Sequence, residues 1–168
     1  MRDFRLRVAT ESDLKTANDI ADKGRAIMNK RDNPQWDTGY PWEDLLLEDI
    51  KLKRLYFAYD NCSPSDILGM AVFQKEKDPD YEGECFWKFD KPYICIHRLV
   101  SLQKGIGKFI ISEGIAIAKR ESKCVRIDTH PKNIHMQRLI NSFDFHLRGS
   151  FYQEGYIDGA YALAYELE

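Results

Sequence analysis

The chain has 168 residues, of which 43% are apolar, 12% aromatic and 31% charged. This length is typical of one domain with a buried core, and the aromatic content excludes an intrinsically disordered chain. Lys and Arg number 25 against 27 Asp and Glu, which argues against a nucleic-acid binder with a broad basic face. We therefore expect a single domain over residues 1–168.

The first third of the chain predicts one strand and two helices. Alternating apolar residues indicate a strand over 4–8. Thr10 then caps a helix, whose apolar residues keep helical spacing and continue past Gly24. A polar stretch over 29–41, punctuated by Pro and Gly, separates this helix from a second one over 42–52.

The middle of the chain predicts five elements. In order, they are strands over 55–59, 67–73 and 93–100, a helix over 107–120 and a strand over 125–129. Turn-forming residues at 60–66 join the first two strands, which favours an antiparallel hairpin. The last strand, helix and strand form a unit that normally gives a right-handed parallel crossover. A polar connection over 75–92 is too long for a simple turn.

The last part of the chain predicts a helix over 133–143 and strands over 146–152 and 161–167. The complete order is β-α-α-β-β-β-α-β-α-β-β, with antiparallel hairpins on both sides of one parallel unit. This order predicts a mixed α/β (α+β) sheet of six to seven strands with flanking helices.

The amino terminus and the cysteines indicate the compartment. Residues 1–5 have no apolar core, so we expect no signal peptide, and no apolar run approaches the length of a membrane span. The four cysteines include no C-x-x-C pair, and Cys95 and Cys124 lie in apolar runs typical of buried thiols. We expect a cytoplasmic protein with reduced cysteines.

A glycine-rich turn joins the strand over 93–100 to the next helix. Gly105 and Gly107 stand two residues apart at the start of that helix, where several backbone N–H groups can point at one spot. Because the helix dipole also attracts anions, the turn suits a phosphate or pyrophosphate. From the glycine pair alone, a tight turn without a ligand is an equally good explanation.

Two other phosphate-binding motifs are excluded at this turn. A P-loop needs a Gly five residues before Gly107 and a Ser or Thr after Lys108, but Leu102 and Phe109 stand there. A dinucleotide fingerprint needs a third small residue where the chain has Ile110.

Four stretches around this turn follow the pattern of one family. They are Ile96-His97-Arg98-Leu99-Val100, Gln103-Lys104-Gly105-Ile106-Gly107-Lys108, Arg126-Ile127-Asp128-Thr129-His130 and Asn133-Ile134-His135-Met136-Gln137-Arg138-Leu139. Together they resemble the acetyl-CoA motif and the following strand and helix of the GNAT-superfamily N-acetyltransferases. The element order fits the same family from Phe4 to Leu167. The resemblance implies the GNAT-like acyl-CoA N-acyltransferase fold and acetyl-CoA as the co-substrate.

The resemblance implies that acetyl-CoA binds in the splay between the two central parallel strands. Leu99 and Val100 would bind the pantetheine arm through backbone groups. The side-chain amide of Asn133 would contact the same arm, although a helix N-cap explains this residue equally well. The pyrophosphate would be wrapped by the turn residues Gln103, Lys104, Gly105, Ile106, Gly107 and Lys108.

Three positions depart from the family pattern, one of which is Asp144, where the family usually has a Gly before Phe145. Leu102 stands where the family usually has Arg or Gln, and Gln103 is displaced from that position by one residue. Backbone amides do most of the phosphate binding, so cofactor binding should survive this change. Ile140 stands where many members have the Tyr that protonates the leaving thiolate, which leaves the general acid unassigned.

His97 is the candidate general base. A free alkylamine, with a pKa near ~10.4, is mostly protonated at neutral pH, so a base must remove its proton before it attacks. Imidazole titrates near working pH, and family members of the arylalkylamine type place a proposed catalytic His at the matching strand position. A structural His is the alternative. Arg98 is expected on the opposite face of the strand, as an ion-pair partner or anchor.

Two other clusters could carry chemistry. Cys95 shares a strand face with His97, but their spacing of about 6.6 Å disfavours a Cys–His nucleophilic pair. Asp128, His130 and His135 lie near the end of another strand and form no complete ligand set. We therefore expect no metal, and we expect Asp128 to fix local backbone or a neighbouring basic group.

An aromatic and acidic loop is the candidate acceptor site. Trp36, Asp37, Tyr40 and Trp42 lie where the family's variable first helices border the acceptor. Their carboxylate and aromatic faces could hold an amine, or the loop could be a hydrophobic lid over the core.

The sequence thus predicts an N-acetyltransferase that moves acetyl from acetyl-CoA to a primary amine of a small molecule or peptide by direct attack in a ternary complex. A second hypothesis, prompted by Ile140, is a non-catalytic acyl-CoA-binding or regulatory module. A third is an enzyme that uses another acyl-CoA. We expect neither a nucleic acid nor a membrane as partner, and a homodimer is compatible with the sequence.

Overall fold

A computed structural model describes residues 3–36, 39–82, 87–156 and 158–168. Its strands and α-helices, in chain order, are β1 (Phe4–Val8), α1 (Leu14–Asn29), α2 (Glu43–Lys51), β2 (Leu55–Asp60), β3 (Ser63–Gln74), β4 (Tyr93–Ser101), α3 (Ile106–Arg120), β5 (Cys124–Thr129), α4 (Ile134–Asn141), β6 (His146–Tyr152) and β7 (Tyr161–Leu167). The predicted order of elements is confirmed. The turn predicted over 60–66 is much shorter in the structure, because β3 begins at Ser63, which pairs with Asp60 of β2.

The seven strands form one mixed sheet in the order β1-β2-β3-β4-β5-β7-β6. All neighbouring strands are antiparallel except β4 and β5. The parallel ladder pairs Tyr93–Cys95 with Cys124–Arg126 and goes no further, although β4 continues to Ser101. The two strands therefore separate toward their carboxyl ends, as the family resemblance implies, and the ends of parallel strands are where α/β sheets bind ligands.

Helices cover both faces of the sheet because neighbouring strand residues point to opposite sides. On one face, α3 packs Ile106, Ile110 and Ile111 against strand residues that include Ile94 and Ile96. On the other face, residues of α1 and α2 pack against alternate strand residues; they include Ile20, Leu46, Phe57, Met70 and Val72.

A β-bulge in β4 changes which side chains reach each face. Val72 of β3 pairs with His97 and Met70 pairs with Val100, so one β3 residue faces two residues of β4. Arg98 lies in this bulge with a φ of 51°, in the left-handed region that few non-glycine residues adopt. The extra residue moves Val100 to the α1 side of the sheet, whereas Ile96 packs against α3.

The structure also bears on the cysteine and membrane expectations. Cys62, Cys95 and Cys124 are free thiols, and Cys85 lies outside the described residues. Within the described ranges, no helix combines the length and apolar character needed to cross a membrane.

Candidate active site

A cavity of about 760 Å³ opens where β4 and β5 separate. Its walls come from β4, the end of β5, the start of α4 and three connecting segments; they include His97, Arg98, Leu99, Asp128, Asn133, Trp36, Tyr40, Asp78, Tyr81 and Tyr156. A smaller cavity of about 280 Å³ lies between the end of β4, α1 and the start of α4. Leu99 and Asn133 line both cavities, so together the two can hold two molecules that meet at the bulge of β4.

His97 lies between two carboxyl groups of the larger cavity. Its Nε2 is 2.8 Å from Oδ2 of Asp78, and its Nδ1 is 3.6 Å from Oδ2 of Asp128. Burial acts to raise the pKa of Asp78, but the hydrogen bond and charge of His97 outweigh it and hold that pKa below its usual value. The imidazole therefore has an ionised partner at one nitrogen.

Asp128 differs from Asp78 in its environment. Burial raises the pKa of Asp128 above the usual carboxyl value, against the attraction of His97. The hydroxyl of Tyr81 donates a hydrogen bond to Oδ2 of Asp128 over 2.7 Å. Two carboxyl groups with pKa values shifted in opposite directions on either side of one imidazole form an arrangement that can take up and hold a proton.

Asp78 and Tyr81 were not predicted as site residues. Asp128 was grouped with the wrong histidines, although its expected place beside a basic group is confirmed by His97. Asp78 and Tyr81 lie in the irregular connection before β4, beside a short 3₁₀ turn over Pro79–Tyr81. The Asp-Pro pair, which commonly starts a turn, was the one local signal. Asp128 faces His97, not His130 and His135, because β5 ends at Thr129 and the chain turns there. His130 instead pairs with Asp158 over 3.0 Å.

The Cys95 thiol lies near the His97 imidazole and the Asp78 carboxylate. Its Sγ and one ligand atom each of His97 and Asp78 all lie within 4.8 Å of one another. Burial raises the pKa of the Cys95 thiol well above its usual value, so the thiol stays protonated and is a poor nucleophile. Zinc binds such donor atoms, but the Asp78 oxygen is already bonded to His97, so a hydrogen-bonded network accounts for the cluster.

Arg98 does not point away from the site, and the prediction that it would was wrong. Both Arg98 and His97 line the larger cavity, because the bulge interrupts the alternation of side chains along β4. The expectation of an ion-pair partner is confirmed, since Nη1 of Arg98 lies 3.3 Å from Oδ2 of Asp49. The guanidinium also lies over the ring of Tyr40, 5.7 Å from its centre.

The glycine turn has the backbone shape that an anion site needs. Gly105 precedes α3 with a φ of 95°, which favours glycine. The N–H groups of Ile106 and Gly107 donate to the Gln103 carbonyl and to Oγ of Ser101, respectively. Because two of the expected amides have internal partners, the turn would have to share or release these bonds to wrap a pyrophosphate. The side chains of Lys104 and Lys108 are exposed beside it.

Asn133 is an N-cap and also borders both cavities. Its Oδ1 accepts a hydrogen bond from the Met136 N–H over 3.1 Å, as the capping explanation requires. Its Nδ2 donates to Oε1 of Gln35 over 2.7 Å, a partner that sequence reasoning did not identify. A contact from Asn133 to a cofactor arm would therefore replace the bond to Gln35.

The candidate acceptor loop, over 36–42, is partly buried in the core and partly lines the larger cavity. Trp36 is buried in the core on the α1 side and packs so closely on Gly24 that a Cβ there would lie 2.9 Å from its ring. Tyr40 meets both Trp36 and Trp42 edge-on, and all three line the larger cavity. Asp37 lies outside the described residues. Ile140, at the position of the missing acid, is fully buried in the core.

Comparison with known proteins finds similarity at the level of structure. No protein-family model and no curated protein sequence matches the chain. A GNAT-family acetyltransferase from Streptococcus agalactiae superposes with a TM-score of 0.79 and 22% identity, over 97% of this chain and 94% of that one. A GNAT-family acetyltransferase from Listeria monocytogenes gives a TM-score of 0.71 and 16% identity, over 98% and 95%.

A third structure has been solved with a cofactor. The protein yncA from Salmonella typhimurium, assigned as an acetyltransferase and solved with acetyl-CoA, superposes with a TM-score of 0.67 and 18% identity, over 98% of this chain and 93% of that one. All three superpositions extend over nearly the full length of both chains. The chain therefore has the fold of the GNAT-superfamily N-acetyltransferases.

Proposed function

We propose that the protein is an acetyl-CoA-dependent N-acetyltransferase that acts on a primary amine of a small molecule or peptide. The proposal rests on the position of His97, which lies between Asp78 and Asp128 in the larger cavity. The smaller cavity adjoins this one at the end of β4. The fold and the acetyl-CoA bound to one structural neighbour support the choice of co-substrate.

In this proposal each of the two cavities binds a different substrate. The pantetheine arm occupies the smaller cavity along Leu99 and Val100, and the pyrophosphate lies at the turn over 103–108. The parallel ladder with β5 ends at Cys95, so the β4 backbone groups beyond it, at Arg98 and Leu99, have no pairing with β5 and are available to the thioester. The acceptor amine occupies the larger cavity beside His97.

The reaction is a direct acyl transfer. His97 accepts a proton from the ammonium, directly or through a water molecule, and the neutral nitrogen attacks the thioester carbonyl carbon. A C–N bond forms, the C–S bond breaks, and the amide and the CoA thiolate leave. The attacking nitrogen, which carries a positive charge after the C–N bond forms, loses its second proton, and the thiolate takes up one proton to give CoA. Protonated Cys95 offers no competing nucleophile.

A thiol-release assay with acetyl-CoA and a panel of primary amines tests the proposal. We expect release of CoA that depends on both substrates, together with CoA binding in calorimetry. CoA binding without release above background for any amine would instead support the non-catalytic module, which Ile140 favours because it leaves no acid at that position. Release with a longer acyl-CoA but not with acetyl-CoA would point to another acyl donor.

A further inference from the structure

Arg98 has a strained backbone and a buried side chain with unused donors. It lies in the β4 bulge with a φ of 51°, and only 10% of its side-chain surface is accessible. Its Nε and Nη1 are buried and have no hydrogen-bond partner among the residues that the structure describes. Because unpaired buried donors are costly, these groups need an explanation, such as a catalytic role or a bound partner.

The ion pair with Asp49 does not satisfy the Arg98 guanidinium. Asp49 is fully buried and accepts its hydrogen bond from Nε of Arg54, over 2.6 Å. Its other oxygen, Oδ2, lies 3.3 Å from Arg98 but makes no hydrogen bond in the described residues. A guanidinium binds a carboxylate most strongly through two parallel N–H···O bonds, and Asp49 provides no such pair to Arg98.

A second unused donor lines the same cavity. The hydroxyl of Tyr156 is buried and has no partner in the described part of the chain, and the residue is part of the cavity wall. The described wall of the larger cavity thus includes two residues with unpaired polar hydrogens, Arg98 and Tyr156.

The remaining charges of the cavity favour a cationic group beside this anion site. Among the residues that the structure describes, the carboxyl groups of the cavity wall belong to Asp78, Asp80, Asp128 and Glu154, and its basic side chains are His97 and Arg98. Asp78 and Asp128 both face the His97 imidazole. Arg98 directly follows His97, and both line the cavity. A cationic group of the acceptor could therefore lie beside Asp78 and Asp128 while an anionic group lies beside Arg98.

We propose that Arg98 binds a carboxylate of the acceptor and that the preferred acceptors are small aminocarboxylates, such as α-amino acids, with the amino group directed to His97. This inference rests on the proposed function and specifies its substrate class. A carboxylate in the cavity would give the Arg98 guanidinium, which lines that cavity, a second anionic partner beside Asp49, whose carboxylate is shared with Arg54.

Matched substrate pairs test the inference in the wild-type protein. Each pair consists of an amino acid and the amine left after its decarboxylation, for example phenylalanine with phenethylamine and histidine with histamine. We expect kcat/KM for the amino acid to exceed that for the amine by about 10- to 100-fold, which is the effect of hydrogen bonds to a charged group. Equal values, or a preference for the amines, would overturn the inference and leave the proposed acetyltransferase activity in place.

Two arginine variants separate ligand binding from the ion pair. Arg98→Gln should remove the preference by lowering kcat/KM for the amino acids only. Arg54→Gln is the matched control, since Arg54 hydrogen bonds the same Asp49 carboxylate but is absent from the cavity wall. We expect it to keep the preference. If Arg98→Gln lowered kcat/KM for both members of each pair equally, the inference would be wrong.

A binding measurement decides the question if no amine is acetylated. Calorimetry with the same amino acids and amines, with CoA present, should show binding of the carboxylates alone in the wild type and in Arg54→Gln, and none in Arg98→Gln. This result would support the carboxylate site although the proposed function had failed. Absence of amino-acid binding in the wild type would overturn the inference.

Discussion

At the scale of single residues, the His97 imidazole has two distinct nitrogens. A neutral ring that donates its Nε2 proton to the Asp78 carboxylate, 2.8 Å away, leaves Nδ1 as the proton acceptor. Nδ1 faces the side of the cavity that holds Asp128, a carboxyl group whose pKa is raised by burial. In the proposed reaction, Asp78 thus sets which nitrogen receives the proton.

Replacing His97 with Ala should lower kcat/KM by about 100-fold, because a positioned general base contributes an effect of this size. CoA affinity should remain unchanged, since the imidazole lies in the larger cavity. Initial rates across a pH range, with isothermal titration for CoA, measure both quantities. His146→Ala is the control because that side chain is exposed at the start of β6 and lines neither cavity. Unchanged activity of His97→Ala at every pH would show that His97 is structural.

The hydrogen bond between Asp78 and His97 should make the free energy of unfolding depend on pH. The pKa of Asp78 is held below its usual value, so its stabilising effect is present above the unfolded carboxyl pKa of about 3.9 and is lost as the pH falls through the lower folded value. Asp78→Asn should therefore be less stable than wild type by about 1.5 kcal/mol at pH 6, with a difference that narrows below pH 4. Urea unfolding at several pH values measures this.

Asp80→Asn provides the control for that experiment. Asp80 is exposed and contacts Gln153 over 3.3 Å instead of His97, so its replacement should change the free energy of unfolding little at any pH. A wild-type advantage over Asp78→Asn that stayed constant from pH 6 to pH 3 would contradict the assignment of the pH dependence to this pair.

At the scale of secondary-structure elements, the end of β4 is held in place by close backbone packing. A Cβ at Gly69 of β3 would lie 2.5 Å from the Val100 carbonyl oxygen and 2.7 Å from Ile106 at the start of α3. These two contacts hold β4 and the start of α3 against β3, so the position has no room for a side chain.

Gly69→Ala should destabilise the protein by about 2–3 kcal/mol, because the backbone of β4 must move to admit a methyl group. It should also weaken CoA binding, since Val100 and the turn move with it. Denaturant unfolding and calorimetry measure the two effects. Gly155→Ala is the matched control, because a Cβ there meets nothing within 4 Å. Wild-type stability and CoA affinity in Gly69→Ala would contradict this account of the packing.

The elements of the structure differ in how well they could be predicted from the sequence. Strands, helices and the glycine turn were predictable because hydrophobic period, caps and glycine spacing are local signals. The bulge at Arg98 was not, since one unpaired residue leaves no mark on the apolar pattern and yet reverses the orientation of the side chains after it. Asp78 and Tyr81 were missed because they lie in an irregular connection and reach His97 and Asp128 through tertiary contacts.

At the scale of the whole molecule, one buried carboxylate links the second half of the sheet to the segment before β4. Glu166 of β7 is fully buried; it accepts hydrogen bonds from Arg126 of β5, Arg148 of β6 and the N–H of Lys88. The Arg126 guanidinium lies between the rings of Trp87 and Tyr93, at 4.1 and 4.0 Å. A charge network of this kind brings together chain segments that no local pattern relates.

Replacing Glu166 with Ala should destabilise the protein by about 3–5 kcal/mol, because it leaves two largely buried guanidinium groups without their anion. For a chain of this size the melting temperature should fall by about 10 °C. Glu168→Ala is the control: its carboxylate pairs with Lys91 at the surface, and such a pair contributes about 0.5 kcal/mol. Scanning calorimetry of both variants measures the difference. Glu166 also accepts a hydrogen bond from the Lys88 N–H. Glu166→Ala should therefore loosen the segment before β4 that also carries Asp78, and the acetyltransferase activity of the variant should fall at temperatures below its melting temperature. A melting temperature close to that of wild type would show that the arginines find other partners.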